Sequence, residues 1–161
     1  MPTPPYVLQL RQAYGQGRLI LPGVSGVVVR QDIEPGRLHV LLTRRSDTGR
    51  WSLPAGIVEP DEQPAATLVR EVAEETRVTI AVERLALLMT EPEITFPNGD
   101  RCQFISMCFR CRYVGGEAAV GDEESTEVRW FAIDALPDLD ARQGRRITIA
   151  LADRDACVFD S

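Results

Sequence analysis

The chain contains no lysine: all 18 of its basic residues are arginine. That composition fits a GC-rich coding sequence, with an arginine-built phosphate surface as the alternative. Histidine is nearly absent too, with His39 the only one among 161 residues. Acidic residues outnumber basic ones, 24 to 18, for a net charge of −6. A chain of that sign lacks the basic surface that sequence-independent nucleic-acid binding needs. No apolar run approaches the roughly 18 residues that span a bilayer, so no membrane is expected. Residues Met1 to Leu10 carry no basic region ahead of their apolar residues, which excludes a signal peptide and makes a cytoplasmic protein the expectation. Internal repeats, low-complexity tracts and long linkers are also missing. Cysteine is sparse: Cys102, Cys108, Cys111 and Cys157. Cys108 and Cys111 form one C-x2-C, but there is no second pair and His39 is far away. Residues three apart in a strand point to opposite faces, so buried free thiols are expected rather than a zinc site.

What remains is ample for one domain. Hydrophobic residues make up 44% and charged residues 26%, the balance of a soluble globular chain. A short helix is expected over 6–13, ended by Gly15 and Gly17. A β-branched strand follows from Val24 to Arg30, a turn at Pro35-Gly36, and a partner strand from Leu38 to Thr43. Ser46 to Gly49 is a second turn, and Trp51 to Leu53 a brief strand stopped by Pro54. Pro64 sits well at a first helical position. From there to Thr76, Ala65, Leu68, Val69 and Val72 form an apolar stripe at i, i+3, i+4 and i+7. The β pattern resumes from Val78 to about Thr90. Pro97-Asn-Gly-Asp100 is a turn leading to a strand from Arg101 to Val114. A last strand is expected over Val128 to Ile133 and a C-terminal helix over Arg145 to Leu151. The expected fold is α/β: helices packed on a sheet.

The informative segment is Arg70-Glu71-Val72-Ala73-Glu74-Glu75. In a helix, Glu74 and Glu75 lie at i+3 and i+4 from Glu71, so the three carboxylates share a face with Cβ atoms about 5–6 Å apart. That face centres about 120° from the apolar stripe, at the edge of the packed core, where a cleft forms. Two charges at ~5 Å repel by about 3 kcal/mol at an effective dielectric near 20. Exposed, such side chains splay apart; held at a cleft edge, they need a cation. Hard carboxylate oxygens select Mg²⁺, Mn²⁺ or Ca²⁺ over soft metals. An ordinary solvated helix face is the competing reading of the triplet alone.

The flanking residues decide between the two. The segment reads Gly56-x5-Glu62-x7-Arg70-Glu71-Val72-x-Glu74-Glu75-x-Arg77-Val78. It resembles the Nudix box, G-x5-E-x7-R-E-U-x-E-E-x-G-U with U apolar. Trp51-Ser-Leu-Pro-Ala-Gly-Ile-Val-Glu59 is similar to the stretch that precedes the box in that family, and the resemblance reaches across most of residues 20–135. A pattern this long is far more specific than a lone glycine motif. Two positions depart from it. Arg77 replaces the last box glycine, where positive φ is often needed, at a cost of around 1 kcal/mol. Ala55 replaces the first glycine of the pair before the box.

The resemblance implies a Nudix-type α/β/α sandwich with a mixed sheet and a loop–helix–loop that holds divalent ions, Mg²⁺ or else Mn²⁺. Residues 1–20 would be an N-terminal extension and 21–161 the Nudix domain. By position, Glu71, Glu74 and Glu75 would be metal ligands, joined by the Gly56 carbonyl, with Glu62 supporting the helix start and Arg70 orienting a carboxylate. Glu124, six residues before Trp130, would be the extra ligand or the catalytic base; Glu75 is the rival base. Arg44 and Arg45 could reach phosphate. Trp51 could stack on a base or pack in the core, and Phe96, Asn98 and Asp100 form a hairpin tip that could touch the substrate or be a plain turn. Arg145 and Arg146 would bind phosphate or face water. The implied reaction is hydrolysis of a phosphoanhydride in a small-molecule nucleotide, with ADP-ribose or another sugar nucleotide favoured. Oxidised nucleoside triphosphates and dinucleoside polyphosphates are the alternative substrates. A nucleotide-sensing module without turnover is the alternative function, disfavoured because all four box glutamates remain. A homodimer is possible, as family members are often dimers.

Overall fold

A computed structural model describes residues 3–96, 98–152 and 154–159. Three helices and nine strands follow in the order α1 (Pro5–Tyr14), β1 (Leu19–Glu34), β2 (Arg37–Arg45), β3 (Trp51–Ser52), β4 (Ala55–Ile57), α2 (Pro64–Thr76), β5 (Thr79–Thr90), β6 (Ile94–Thr95), β7 (Arg101–Gly115), β8 (Ser125–Ala132), α3 (Ala141–Leu151) and β9 (Val158–Phe159). The sheet is mixed. Its main path runs β3-β2-β1-β7-β5-β9, with β4 also on β1, β6 on β7 and β8 on β2. β1 and β7 lie parallel at its centre, while β1 with β2 and β5 with β7 are antiparallel.

Two helices cover opposite faces. Val24 and Val28 of β1 join Leu68 and Val72 of α2 in one apolar cluster. Val27 and Val29 join Ile147 and Ala150 of α3 in the other. Residue parity along a strand sets the face, so the Val27-Val28-Val29 run feeds both clusters. A strand covered on both faces reads as continuous valine rather than alternation. The result is the expected α/β/α sandwich. Cys108 and Cys111 obey the same parity, Cys108 falling in the α3 cluster and Cys111 in the α2 cluster. All four cysteines are free thiols. No helix among the described residues is long and apolar enough to cross a membrane.

Several boundaries differ from the sequence expectation. β1 starts earlier, at Leu19, because its parallel pairing with β7 runs from Leu19–Cys102 to Val29–Arg112. α3 begins at Ala141 rather than Arg145 because the Asp140 carboxylate accepts the Gln143 N–H at 2.9 Å, an N-cap. β4 was not expected: three residues after Pro54 pair with Gly23–Ser25 of β1. Of the expected turn at 97–100, Asn98 and Gly99 form one; Pro97 lies outside the described residues.

α2 starts at Pro64 as expected and ends on Arg77, which takes φ 61° and ψ 14°. Its N–H caps the helix on the Ala73 carbonyl, and its guanidinium reaches the Gly121 carbonyl at 3.1 Å. The left-handed conformation thus survives the loss of glycine at this position. Arg77→Gly is expected to stabilise the chain by about 0.5–1 kcal/mol, read as a higher urea midpoint at unchanged m value; a lower midpoint would mean that the guanidinium contact outweighs the backbone strain.

Candidate active site

β4 and α2 meet where the acidic residues cluster. The ideal Cβ of a side chain at residue 56 would lie 2.3 Å from the carboxyl carbon of Glu71. Gly56 is needed here for space, so that the helix can press a carboxylate against the strand. As a result Glu71 is fully buried and Glu75 is 7% exposed, deeper than the cleft edge expected from helical geometry alone. Glu74, by contrast, leaves half its side chain in solvent.

Arg70 organises the rim. Its Nε and Nη2 donate to the two Glu62 oxygens at 2.8 and 2.9 Å, a bidentate pair. Nη1 donates to Glu74 Oε2 at 3.2 Å and lies 3.0 Å from Glu71 Oε1 without hydrogen-bond geometry. Glu62 also accepts from the Thr67 hydroxyl at 2.8 Å. The Arg70 hydrogen bonds hold the Glu62 carboxyl down at about 2. Glu62 therefore acts as the anchor for Arg70 and the first turn of α2.

The buried pair behaves in the opposite way. Burial pushes the Glu71 carboxyl up to about 7. Burial, with the charges of Glu71 and Asp122, pushes Glu75 up to about 8, against the pull of the Ala55 backbone N–H. Both Glu71 oxygens and Glu75 Oε2 are buried with no hydrogen-bond partner. An unsatisfied buried acceptor costs about 1–3 kcal/mol, more when charged. Oxygen-only acceptors, dry and short of hydrogen bonds, are the donor set of a hard divalent cation. The residues fit such an ion, although among the described residues no three His, Cys, Asp or Glu side chains converge in ready ligand geometry. The Arg70 guanidinium stands between Glu71 and Glu74.

An acidic loop completes the setting. Ala119 and Gly121 donate to the Thr76 and Glu75 carbonyls at 3.0 and 2.9 Å, tying the loop to the end of α2. The Glu124 N–H donates to Asp122 Oδ1 at 3.0 Å, and the Glu124 carbonyl accepts from Ser46 N–H at 2.7 Å. Asp122 acts on Glu75 electrostatically. It and the Ala55 N–H are the features that residue-by-residue reading did not single out. A backbone donor leaves no sequence signal; Asp122 could have been weighed beside Glu124.

The remaining candidates are less central. Arg45 forms a bidentate pair with Asp47 (2.9 and 2.6 Å) and also feels the Glu75 charge. Arg44 donates to Glu127 at 2.7 Å and to the Gly49 carbonyl at 3.0 Å. Trp51 packs edge-on against Phe131, with centroids 4.8 Å apart, beside the α3 cluster. Arg146 neither faces water nor stands open: it is ion-paired with buried Glu91 and donates to the Ser106 hydroxyl at 3.0 Å.

Residues 20–152 match the NUDIX domain family. The chain is 38% identical to a MutT-like protein of Streptomyces ambofaciens over 71% of its length and 66% of that protein's. It is also 38% identical to the NAD-capped RNA hydrolase NudC of Stutzerimonas stutzeri, over 76% of this chain and 40% of that one. The chain thus spans less than two thirds of the length of these curated relatives. An ADP-ribose pyrophosphatase from Streptococcus suis superposes with a TM-score of 0.66 over 87% of this chain and 98% of its own, at 21% identity; that likeness is one of fold.

The two raised carboxyls yield a pH dependence of known sign. In the unfolded chain they release their protons near 4.5, whereas in the metal-free fold they hold them to about 7 and 8. Across that window the folded state binds more protons, so stability falls as pH rises. Glu62, held at about 2, acts only in the acid range below its ordinary value. Thermal melts of metal-free protein should therefore drop from pH 5 to pH 8.5, and saturating Mn²⁺ should remove most of that drop. Equal melting temperatures at both pH values without metal would contradict the burial of the pair.

Proposed function

This chain belongs to the Nudix domain family, and on that premise we propose that it is a divalent-cation-dependent hydrolase of nucleoside diphosphates linked to a second group. One observation carries the reading: Glu71 and Glu75 are buried with oxygens that no protein donor satisfies. Mg²⁺ is the proposed ion, with Mn²⁺ as a substitute, and residues 21–161 are the proposed catalytic domain behind the extension 1–20. ADP-ribose or another sugar nucleotide is the favoured substrate class. The names of the similar proteins support it in one respect: ADP-ribose and an NAD cap each contain a nucleoside diphosphate joined to another moiety.

In the proposed reaction, the oxygen of a water molecule attacks one phosphorus of the diphosphate. The bond from that phosphorus to the bridging oxygen breaks. The products are a nucleoside monophosphate and the phosphate of the second group, and the water's proton passes to a carboxylate. Glu124 is the proposed acceptor of that proton, with Glu75 as its rival. When bound, a divalent ion neutralises the diphosphate and makes the attacking water more acidic. Glu71, Glu74, Glu75, Glu124 and the Gly56 carbonyl are the groups that would hold it. Arg70 keeps Glu74 at the rim, and Glu62 keeps Arg70 in place. Arg44 and Arg45 are the proposed phosphate contacts, reached by exchanging carboxylate partners for phosphate oxygens of the same fork geometry. Catalysis then rests on position and charge, as in other phosphoryl transfers.

A Mg²⁺-dependent screen across ADP-ribose, other sugar nucleotides, dinucleotides and nucleoside triphosphates, scored by kcat/KM, tests the reading. The highest value should fall on a nucleoside diphosphate linked to a second group. Glu74→Gln should abolish turnover while leaving the melting temperature unchanged, because half of that side chain is in solvent. Absence of hydrolysis in every class, or full activity in the glutamine variant, would overturn it.

A further inference from the structure

α1 lies outside the segment that matches the family, yet it packs on the same side of the sheet as α3. Val7 joins Leu19, Leu21 and Cys102 in a third apolar cluster, flanked by Tyr6, Ile57 and Phe104. The helix is pinned at both ends. At its start the Tyr6 hydroxyl donates to the Val58 carbonyl at 3.0 Å. At its end Arg11 donates to the Gly17 carbonyl at 2.6 Å and the Arg101 carbonyl at 2.7 Å. Gln16 Nε2 reaches the Asn98 carbonyl at 2.8 Å. Between α1, the sheet and the hairpin tip lies a cavity of about 320 Å³. Its walls include Val7, Leu21, Ile57, Phe96 and Phe104, and its polar rim includes Asn98 and Asp100. Ile57 is the residue after Gly56, against which the Glu71 carboxyl rests.

We propose that this cavity is the subsite for the nucleobase of the substrate, with α1 as its roof. The chemistry fits a base better than a sugar or a phosphate. A nucleobase is a flat plate with apolar faces and a polar edge. Two phenylalanine rings and three aliphatic side chains accept the faces, since stacking and apolar contact tolerate any base. Asn98 and Asp100 at the mouth are hydrogen-bonded to each other at 3.0 Å, with Arg11 Nε 3.5 Å from Asp100 Oδ2, and the other Asp100 oxygen is the acceptor that would answer an exocyclic amino group. No arginine is left there as a phosphate donor, because Arg11 is spent on backbone carbonyls and the Cys102 sulfur. The volume stands at the low end of small-molecule sites, about 300–1,000 Å³. Ile57 and Gly56 face opposite sides of β4, and β4 pairs with β1 alone among the described strands, so a base seated there would send its ribose and phosphates round the free edge of β4 to reach the carboxylates. The proposal rests on the hydrolase reading for its substrate class, and it assigns base recognition to an element that the family match does not include.

Calorimetric binding of AMP and of ribose 5-phosphate to the full chain tests this subsite without turnover. Phe96→Ala removes one wall at a side chain that is 41% exposed, so the fold should persist. Val7→Trp fills the cavity from the roof. Each variant should weaken AMP binding by tenfold or more and leave ribose 5-phosphate binding within twofold. In steady-state assays the same variants should raise KM for the nucleotide tenfold with kcat within threefold. If Val7→Trp fails to fold, Phe96→Ala alone decides. AMP affinity unchanged in Phe96→Ala, or both ligands weakened equally, would overturn the base subsite. A wild-type chain that binds AMP through this cavity but hydrolyses nothing would instead overturn the hydrolase reading and leave the subsite standing.

Discussion

Burial of two carboxylates against a glycine is the constraint from which the rest of the site follows. Glu71 is fully buried because Gly56 has no side chain to keep it out. Glu75, one turn later, is covered by the same strand and by the loop around Gly121. Arg70 beside Glu71 and the Ala55 N–H at Glu75 offset that burial only in part, and buried charges are normally paired or bound to metal. The arrangement is unfavourable for the protein alone, and a bound cation would offset that cost. That is why we read it as a functional site rather than as a surface helix with many glutamates.

The architecture serves to make this burial rigid. α2 presses Leu68 and Val72 into the sheet on one side of its axis, which aims Glu71 and Glu75 at β4. The close approach of Leu68 to β1 is helped by Gly26, where an added Cβ would sit 3.2 Å from the leucine methyl groups. At the far end, Arg77 turns the chain sharply into β5 and grips the acidic loop through the Gly121 carbonyl. On the other face α3 contacts the link between β3 and β4, with Gln143 Oε1 accepting the Leu53 N–H at 3.3 Å. The carboxylates are thus set by the helix, the strand and the loop together.

Much of this was legible in the residues. The i, i+3, i+4 spacing of Glu71, Glu74 and Glu75 gave their common helix, Pro64 gave its start, and the Nudix-like spacing from Gly56 to Val78 gave the family. The β-branched run of β1 announced a strand, though not its burial on both faces. What stayed hidden was tertiary. Periodicity put Glu71 at the edge of the core, because β4 could not be foreseen: three residues after a proline carry no strand signal of their own, and only pairing with Gly23–Ser25 makes them one. The early start of α3 turned on one cap, Asp140. The destination of the N-terminal helix depends in part on Cys102 and Phe104, roughly a hundred residues from Val7, which no local pattern encodes.

The central claim is that the buried carboxylates exist to hold a divalent ion. Titration of Mn²⁺ into the metal-free chain, followed by loss of the free-ion electron paramagnetic resonance signal, tests it most directly. The account predicts at least one tightly bound ion per chain and a large loss of affinity in Glu71→Gln, whose amide occupies the same space without the charge. Equal Mn²⁺ binding by the two proteins, or no binding by the wild type at millimolar ion, would contradict it.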